Sequence, residues 1–133
     1  MKKRILCVDE HADACQMLTA LLSRRGYEVV TARSPITALT ISCGQVFSVY
    51  VLDAQFWGGA GVRLCRSIRE FDPLAPVVIF SSKAGERARR EAMEAGATCF
   101  VLKPDIRGLL EAVSRVASEV PGDAAERIGA AGY

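Results

Sequence analysis

Short apolar runs alternate with amphipathic stretches along the chain. RILCVD (residues 4–9) is nearly all apolar and reads as a strand. In HADACQMLTALLSRRG (11–26), Ala14, Leu18, Leu21 and Leu22 recur at helical spacing, and Gly26 supplies a stop. YEVVTA (27–32) predicts a second strand. Ser34 then suits an N-cap with Pro35 at the first helical position, for a helix ending near Gly44. VFSVYVLD (46–53) predicts a third strand and WGGAG (57–61) a Gly-rich loop. The helix GVRLCRSIREF (61–71) puts Val62, Cys65 and Ile68 or Arg69 on one side, and Asp72-Pro73 ends it. PVVIFSS (76–82) is a fourth strand, rich in β-branched residues. GERARREAMEAG (85–96) is a polar helix with a small inner face of Ala88, Ala92 and Ala95. TCFVLK (98–103) predicts a fifth strand, and after Pro104 a last helix carries Leu109, Ala112, Val113 and Val116 inward.

A strand followed by a helix, five times over, is an α/β pattern. Strands apolar on both faces belong in a parallel sheet covered by helices on each side, so the expected architecture is a three-layer, doubly wound (βα)5 fold with right-handed crossovers. Beyond residue 118 the periodicity stops. The segment EVPGDAAERIGAAGY is Gly/Ala-rich, and we expect one domain over 1–118 and a flexible C-terminal tail over 119–133.

The 133 residues make one domain's worth of chain. Half are hydrophobic and 24% charged, which excludes wholesale disorder and collagen-like repeats. Lys+Arg is 17 against Asp+Glu 15, a net of +2, and makes no case for direct nucleic-acid binding. No apolar run reaches membrane-spanning length. The basic start is followed only by ILCV before Asp9 and Glu10 intervene, so neither export nor membrane insertion is expected. Five cysteines at irregular gaps (Cys7, Cys15, Cys43, Cys65, Cys99) read as free, space-filling thiols in a reducing cytoplasm.

The informative residues stand where the strands end. In a parallel sheet all carboxyl ends lie on one edge, where ligands bind. Strand one ends in Asp9-Glu10, strand three in Asp53, strand four in Ser81-Ser82 and strand five in Lys103-Pro104. Two carboxylates about 5 Å apart repel by roughly 3 kcal/mol at an effective dielectric near 20. A crowd of acids therefore needs protonation or a cation, and an oxygen-only ligand set suits Mg²⁺. Three carboxylates, one Mg²⁺ and the Lys103 ammonium would cancel, leaving a neutral pocket suited to a phosphoryl group. Asp53 is the natural nucleophile, since an acyl phosphate is a recognised covalent form of such a carboxylate.

ILCVDE, FSVYVLD with Gly61 eight residues after Asp53, PVVIFSS and AGATCFVLKP stand in this order over residues 4–104, and the final helix extends the match to about 118. Together they resemble the receiver domain of two-component response regulators (CheY-like). The flavodoxin-like strand order 2-1-3-4-5 comes from this resemblance and not from the periodicity. The resemblance implies that Asp53 accepts a phosphoryl group from a histidine kinase or histidine phosphotransfer protein. Asp9, Glu10 and Asp53, with the backbone carbonyl of Gln55, would hold Mg²⁺. Lys103 would contact the phosphoryl oxygens, and Ser81 would turn its hydroxyl to the phosphoryl group after transfer. Phe100 would move inward as Ser81 shifts, remodelling the face of helix four, strand five and helix five for a downstream protein partner. Gln55 and Lys83 would tune the lifetime of the phosphoryl group, and the Lys103-Pro104 bond would be cis. Such a chain is a switch that catalyses only its own phosphorylation and dephosphorylation. We expect it to act as a stand-alone receiver.

Several positions depart from the family's pattern. Glu10 replaces the usual Asp, and Phe56-Trp57 replaces the Met-Pro after the acceptor, which should loosen the loop. Phe100 has no tip hydroxyl, so packing alone must hold any inward state. Blander roles stay open. Asp9-Glu10 also suits a helix N-terminus, His11 is either a metal ligand or an exposed first-turn residue, and the charges of helix four form either a solvated face or a docking surface. An alternative on the same fold is a degenerate receiver that binds partners without phosphorylation. An aspartyl phosphohydrolase would want a second acid at position 55, which is Gln.

Overall fold

Each apolar run becomes a strand of four or five residues. The computed structural model describes residues 2–119, so the expected tail lies outside them apart from Glu119. The elements are β1 (Arg4–Val8), α1 (Ala12–Arg24), β2 (Glu28–Ala32), α2 (Pro35–Gly44), β3 (Val49–Asp53), α3 (Ala60–Phe71), β4 (Val77–Ser81), α4 (Glu86–Glu94), β5 (Cys99–Leu102) and α5 (Ile106–Glu119). The strands pair in parallel in the order β2-β1-β3-β4-β5. This is the doubly wound, three-layer α/β architecture expected from the sequence.

The two-residue repeat of a strand distributes its side chains to opposite faces of the sheet. Leu6, Val8, Tyr50, Leu52, Val77 and Ile79 pack with Ala38 of α2, Leu64, Cys65 and Ile68 of α3 and Ala92 of α4. Ile5, Cys7, Val49, Val51, Val78 and Phe80 pack instead with Leu18 and Leu22 of α1 and with Leu109, Ala112, Val113 and Val116 of α5. Every residue of β3 and β4 is buried, whereas the edge strands β2 and β5 are mostly half-buried. That contrast explains why the central runs lack polar alternation.

Boundaries and inner faces differ from the periodicity in detail. Val46, Phe47, Ser48, Ser82, Thr98 and Lys103 fall outside the strands. Cys15 joins Leu18 and Leu22 as the buried stripe of α1, leaving Ala14 and Leu21 half-buried. In α3 the buried set is Ala60, Gly61, Leu64, Cys65 and Ile68, with Val62 only half-buried. A packed helix is phased by what it faces, and small or sulfur-bearing residues fit close to the sheet where a hydropathy pattern gives them little weight. The start of α2 follows expectation: Ser34 is the N-cap, its hydroxyl accepts from the Thr37 N–H, and Pro35 opens the helix. Cys7, Cys15 and Cys65 are buried free thiols, Cys99 is half-buried and Cys43 exposed. Burial raises the Cys7 thiol far above its ordinary pKa and the Cys65 thiol to about 11, so both serve as inert apolar filler.

Candidate functional site

From β1 the chain winds outward to β2, then crosses back to place β3 on the other side of β1, so the direction of winding reverses there. Such a reversal opens a crevice at the carboxyl ends of the strands. Asp9, just past β1, and Asp53, the last residue of β3, stand there and are both buried. Lys103, just past β5, reaches across to them. Its Nζ lies 3.3 Å from Asp9 Oδ2 and 3.7 Å from Asp53 Oδ1, and 5.4 Å from the centroid of the Phe80 ring. The Lys103 N–H donates to the Ser81 carbonyl at 2.7 Å, which fastens the ends of β4 and β5 together beside the ammonium. The Lys103-Pro104 peptide is cis.

Two buried carboxylates thus share one ammonium. Burial pushes the Asp53 carboxyl above its ordinary pKa and the Asp9 charge adds to this, while Lys103, the Gln55 N–H and His11 pull the other way. The Gln55 N–H donates to Asp53 Oδ1 at 3.1 Å. One carboxylate oxygen each from Asp9 and Asp53 and a ring nitrogen of His11 all lie within 4.8 Å of one another. His11 is exposed, stands at the N-cap position of α1 without a side-chain capping bond, and places Nδ1 3.0 Å from Asp9 Oδ1. The donor set fits a divalent cation. It concentrates negative charge on hard oxygens at short mutual distance, and the single ammonium beside them leaves that charge only partly balanced.

The candidate residues do not all converge. Glu10 lies on the same edge but does not join that ligand group. It is exposed, and its Oε1 accepts from the Trp57 N–H at 3.4 Å. The Gln55 carbonyl accepts from the Gly58 N–H at 3.0 Å. Ser81 is fully buried at the end of β4, and its hydroxyl donates to Gln55 Oε1 at 3.0 Å. Lys83 is exposed; its backbone N–H donates to Ser81 Oγ at 3.0 Å. Its side chain borders a cavity of about 270 Å³ that Gln55, Gly59, Val62 and Glu91 also line. Phe100 is half-buried on β5, paired in register with Ile79 and packed on the core beneath α2, α3 and α4.

Trp57 has a part that its sequence position left undecided. It adopts a left-handed backbone (φ 48°), and Gly58 and Gly59 follow with positive φ. Half-exposed, at 55%, it donates its indole N–H to the Arg33 carbonyl at 3.0 Å, while Arg33 Nε donates to the Glu10 carbonyl at 3.1 Å. Glu10, Arg33 and Trp57 therefore tie together the loops after β1, β2 and β3. Strand two ends without a site acid, so nothing in the linear order signalled that its loop would take part.

A family model described as the response regulator receiver domain matches residues 5–114, and the chain belongs to that family of two-component signalling domains. PleD of Caulobacter vibrioides, a response regulator, is 34% identical over 107 residues, covering 78% of this chain and 23% of PleD. The transcriptional regulatory protein ZraR of Escherichia coli K12 is 32% identical over 100 residues, 75% of this chain and 23% of ZraR. The chain thus spans about a quarter of the length of these curated relatives. Among solved structures, a CheY-like receiver domain protein of Methanospirillum hungatei superposes with a TM-score of 0.83 at 24% identity, covering 90% of this chain and 96% of that one. A response regulator of Burkholderia pseudomallei, solved with a phosphorylated aspartic acid, a calcium ion and citrate, gives a TM-score of 0.78 at 25% identity over 89% of this chain and 70% of its own.

Proposed function

We propose that this chain is a phosphoryl-accepting switch of a two-component phosphorelay, with Asp53 as the acceptor. The observation that carries this is the buried Asp53 carboxylate at the end of the central strand, next to Asp9 and under the Lys103 ammonium. The donor is the phosphohistidine of a histidine kinase or phosphotransfer protein. An Asp53 carboxylate oxygen attacks phosphorus, the P–N bond breaks, and the imidazole nitrogen leaves with the electron pair. Lys103 stabilises the charge on the phosphoryl oxygens. Asp9 and Asp53 would hold Mg²⁺, with His11 within reach and Glu10 on the same edge, one of its carboxylate oxygens engaged by the Trp57 N–H. Bound there, the cation would neutralise charge on the acceptor and the transferred group.

Ser81, at the end of β4, then turns its hydroxyl toward the new phosphoryl group. Phe100 moves inward beside Ile79, altering the face made by α4, β5 and α5 for a downstream protein partner. Water returns the switch to its resting state by hydrolysing the acyl phosphate. Gln55 and Lys83, flanking the acceptor, set how fast that happens. The chain turns over no free substrate. We place the domain in the cytoplasm, where such relays meet their kinases. Among the described residues no helix is long and apolar enough to cross a membrane.

Glu10 favours one rival. With its carboxylate turned to Trp57, the domain would act as a phosphorylation-independent interaction module. Incubation with acetyl phosphate and Mg²⁺, followed by intact-mass spectrometry, separates the two. We expect the mass of one phosphoryl group on the wild type and none on Asp53→Asn; no gain on either would favour the rival.

A further inference from the structure

Gln55 hydrogen-bonds both Asp53 and the Ser81 hydroxyl. Its backbone N–H donates to Asp53 Oδ1 at 3.1 Å, and its side-chain Oε1 accepts from Ser81 Oγ at 3.0 Å. A hydroxyl carries a single proton. In Ser81 that proton points to Gln55, with the Lys83 carbonyl a longer alternative at 3.4 Å, while the Lys83 N–H occupies a lone pair of the same oxygen at 3.0 Å. Ser81 is fully buried, so its hydroxyl has no bulk water to fall back on, and its proton can serve a phosphoryl oxygen only by leaving Gln55. The Gln55 oxygen, by contrast, would keep a partner, because Ser82 Oγ also donates to it at 3.4 Å.

We infer that the Gln55 side chain is a latch for the resting state. It holds the Ser81 hydroxyl away from Asp53 and sets how far the switch moves when a phosphoryl group arrives. This rests on the phosphoacceptor reading and adds a separate role: the lifetime of the acyl phosphate depends on access of water, whereas the latch governs the balance between two arrangements of Ser81. Gln55 is here a positioning residue that acts through Ser81. Releasing a buried hydrogen bond that competes with the active arrangement shifts that balance by roughly 2- to 10-fold, the range spanned by one net hydrogen bond.

Beryllofluoride, which mimics a phosphoryl group on an aspartate, is the probe. Its affinity is measured by calorimetry at fixed Mg²⁺ for the wild type, Gln55→Met and Gln55→Glu. Methionine keeps the length of the side chain and removes the acceptor, whereas glutamate keeps an acceptor. We expect beryllofluoride to bind Gln55→Met several-fold tighter than the wild type and Gln55→Glu no tighter. In a Ser81→Ala background the Gln55→Met gain should disappear, which a general loosening of the loop would not produce. Gln55→Ala, also lacking the acceptor, must follow Gln55→Met and covers the case in which methionine does not fit. Equal affinities for the wild type and both acceptor-free variants, or a gain that survives Ser81→Ala, would overturn the latch while leaving the acceptor role intact. Failure of the wild type to bind beryllofluoride at all would remove the acceptor reading and the latch with it.

Discussion

A carboxylate in the position of Asp53 is costly to ionise, because burial and the neighbouring Asp9 charge both raise its pKa. The folded protein therefore holds that proton more tightly than the unfolded chain does. Stability contributed by this group is present at low pH and falls as pH rises from the ordinary carboxylate range through the raised value in the fold. Asp53→Asn should accordingly be more stable than the wild type at pH 7 without divalent cations. The difference should shrink on acidification toward and below the ordinary carboxylate range, as read by denaturant unfolding at a series of pH values. The same proton competition should make divalent binding stronger as pH rises through that window. At this scale the residue types were readable: an acid after strands one and three, a hydroxyl after strand four and a lysine after strand five. Which atoms meet was not. Glu10 and His11 directly follow Asp9 in sequence, yet it is His11 that approaches the buried carboxylates, while Glu10 accepts from the Trp57 N–H. Backbone direction in the first residues after β1 decides this, and no residue type encodes it.

Elements set the tolerance of the site. The N-terminal turn of α3 presses on the end of β3 so closely that a Cβ built on Gly61 would stand 1.9 Å from the Asp53 carbonyl oxygen and 2.9 Å from its carbon. Those are backbone atoms of Asp53 itself and cannot swing aside. Gly61→Ala should therefore cost on the order of 2–3 kcal/mol in denaturant unfolding and slow phosphorylation of Asp53 by acetyl phosphate, since relief requires β3 and α3 to part. Ser34→Ala tests an element far from the chemistry. Loss of the hydroxyl that accepts the Thr37 N–H should lower stability by about 1 kcal/mol and leave phosphorylation unchanged. The glycine eight residues after Asp53 was visible in the sequence as part of the family resemblance. Its physical reason appears only when the helix is packed against the strand. The inner faces of α1 and α3 show the same limit: Cys15 and Gly61 are buried by packing distance, which an apolar periodicity does not register.

At the scale of the whole molecule, the sheet brings residues ninety-odd positions apart onto one crevice, and a cation bound there would link the site to global stability. A ligand that binds only the folded state stabilises it by about 2.7 kcal/mol at a hundred times its dissociation constant. Millimolar Mg²⁺ should raise the melting temperature of the wild type, and the rise should vanish in Asp53→Asn and fall sharply in Asp9→Asn. Glu10→Gln should keep most of it, because its carboxylate stands outside the buried ligand group. A thermal-shift titration reads all four proteins together. By itself the sequence determined the number and kind of elements, the edge on which the chemistry lies and the charge types gathered there, because apolar period, N-cap and stop residues, and the acids that follow strands are local features. The tertiary structure alone decided which of those groups face one another: Lys103 between the two aspartates, Ser81 on Gln55, and Glu10 with Arg33 and Trp57 across three loops. Such pairings depend on helix phase, loop direction and the close approach of backbones, which arise only when all five strands and their covering helices pack at once.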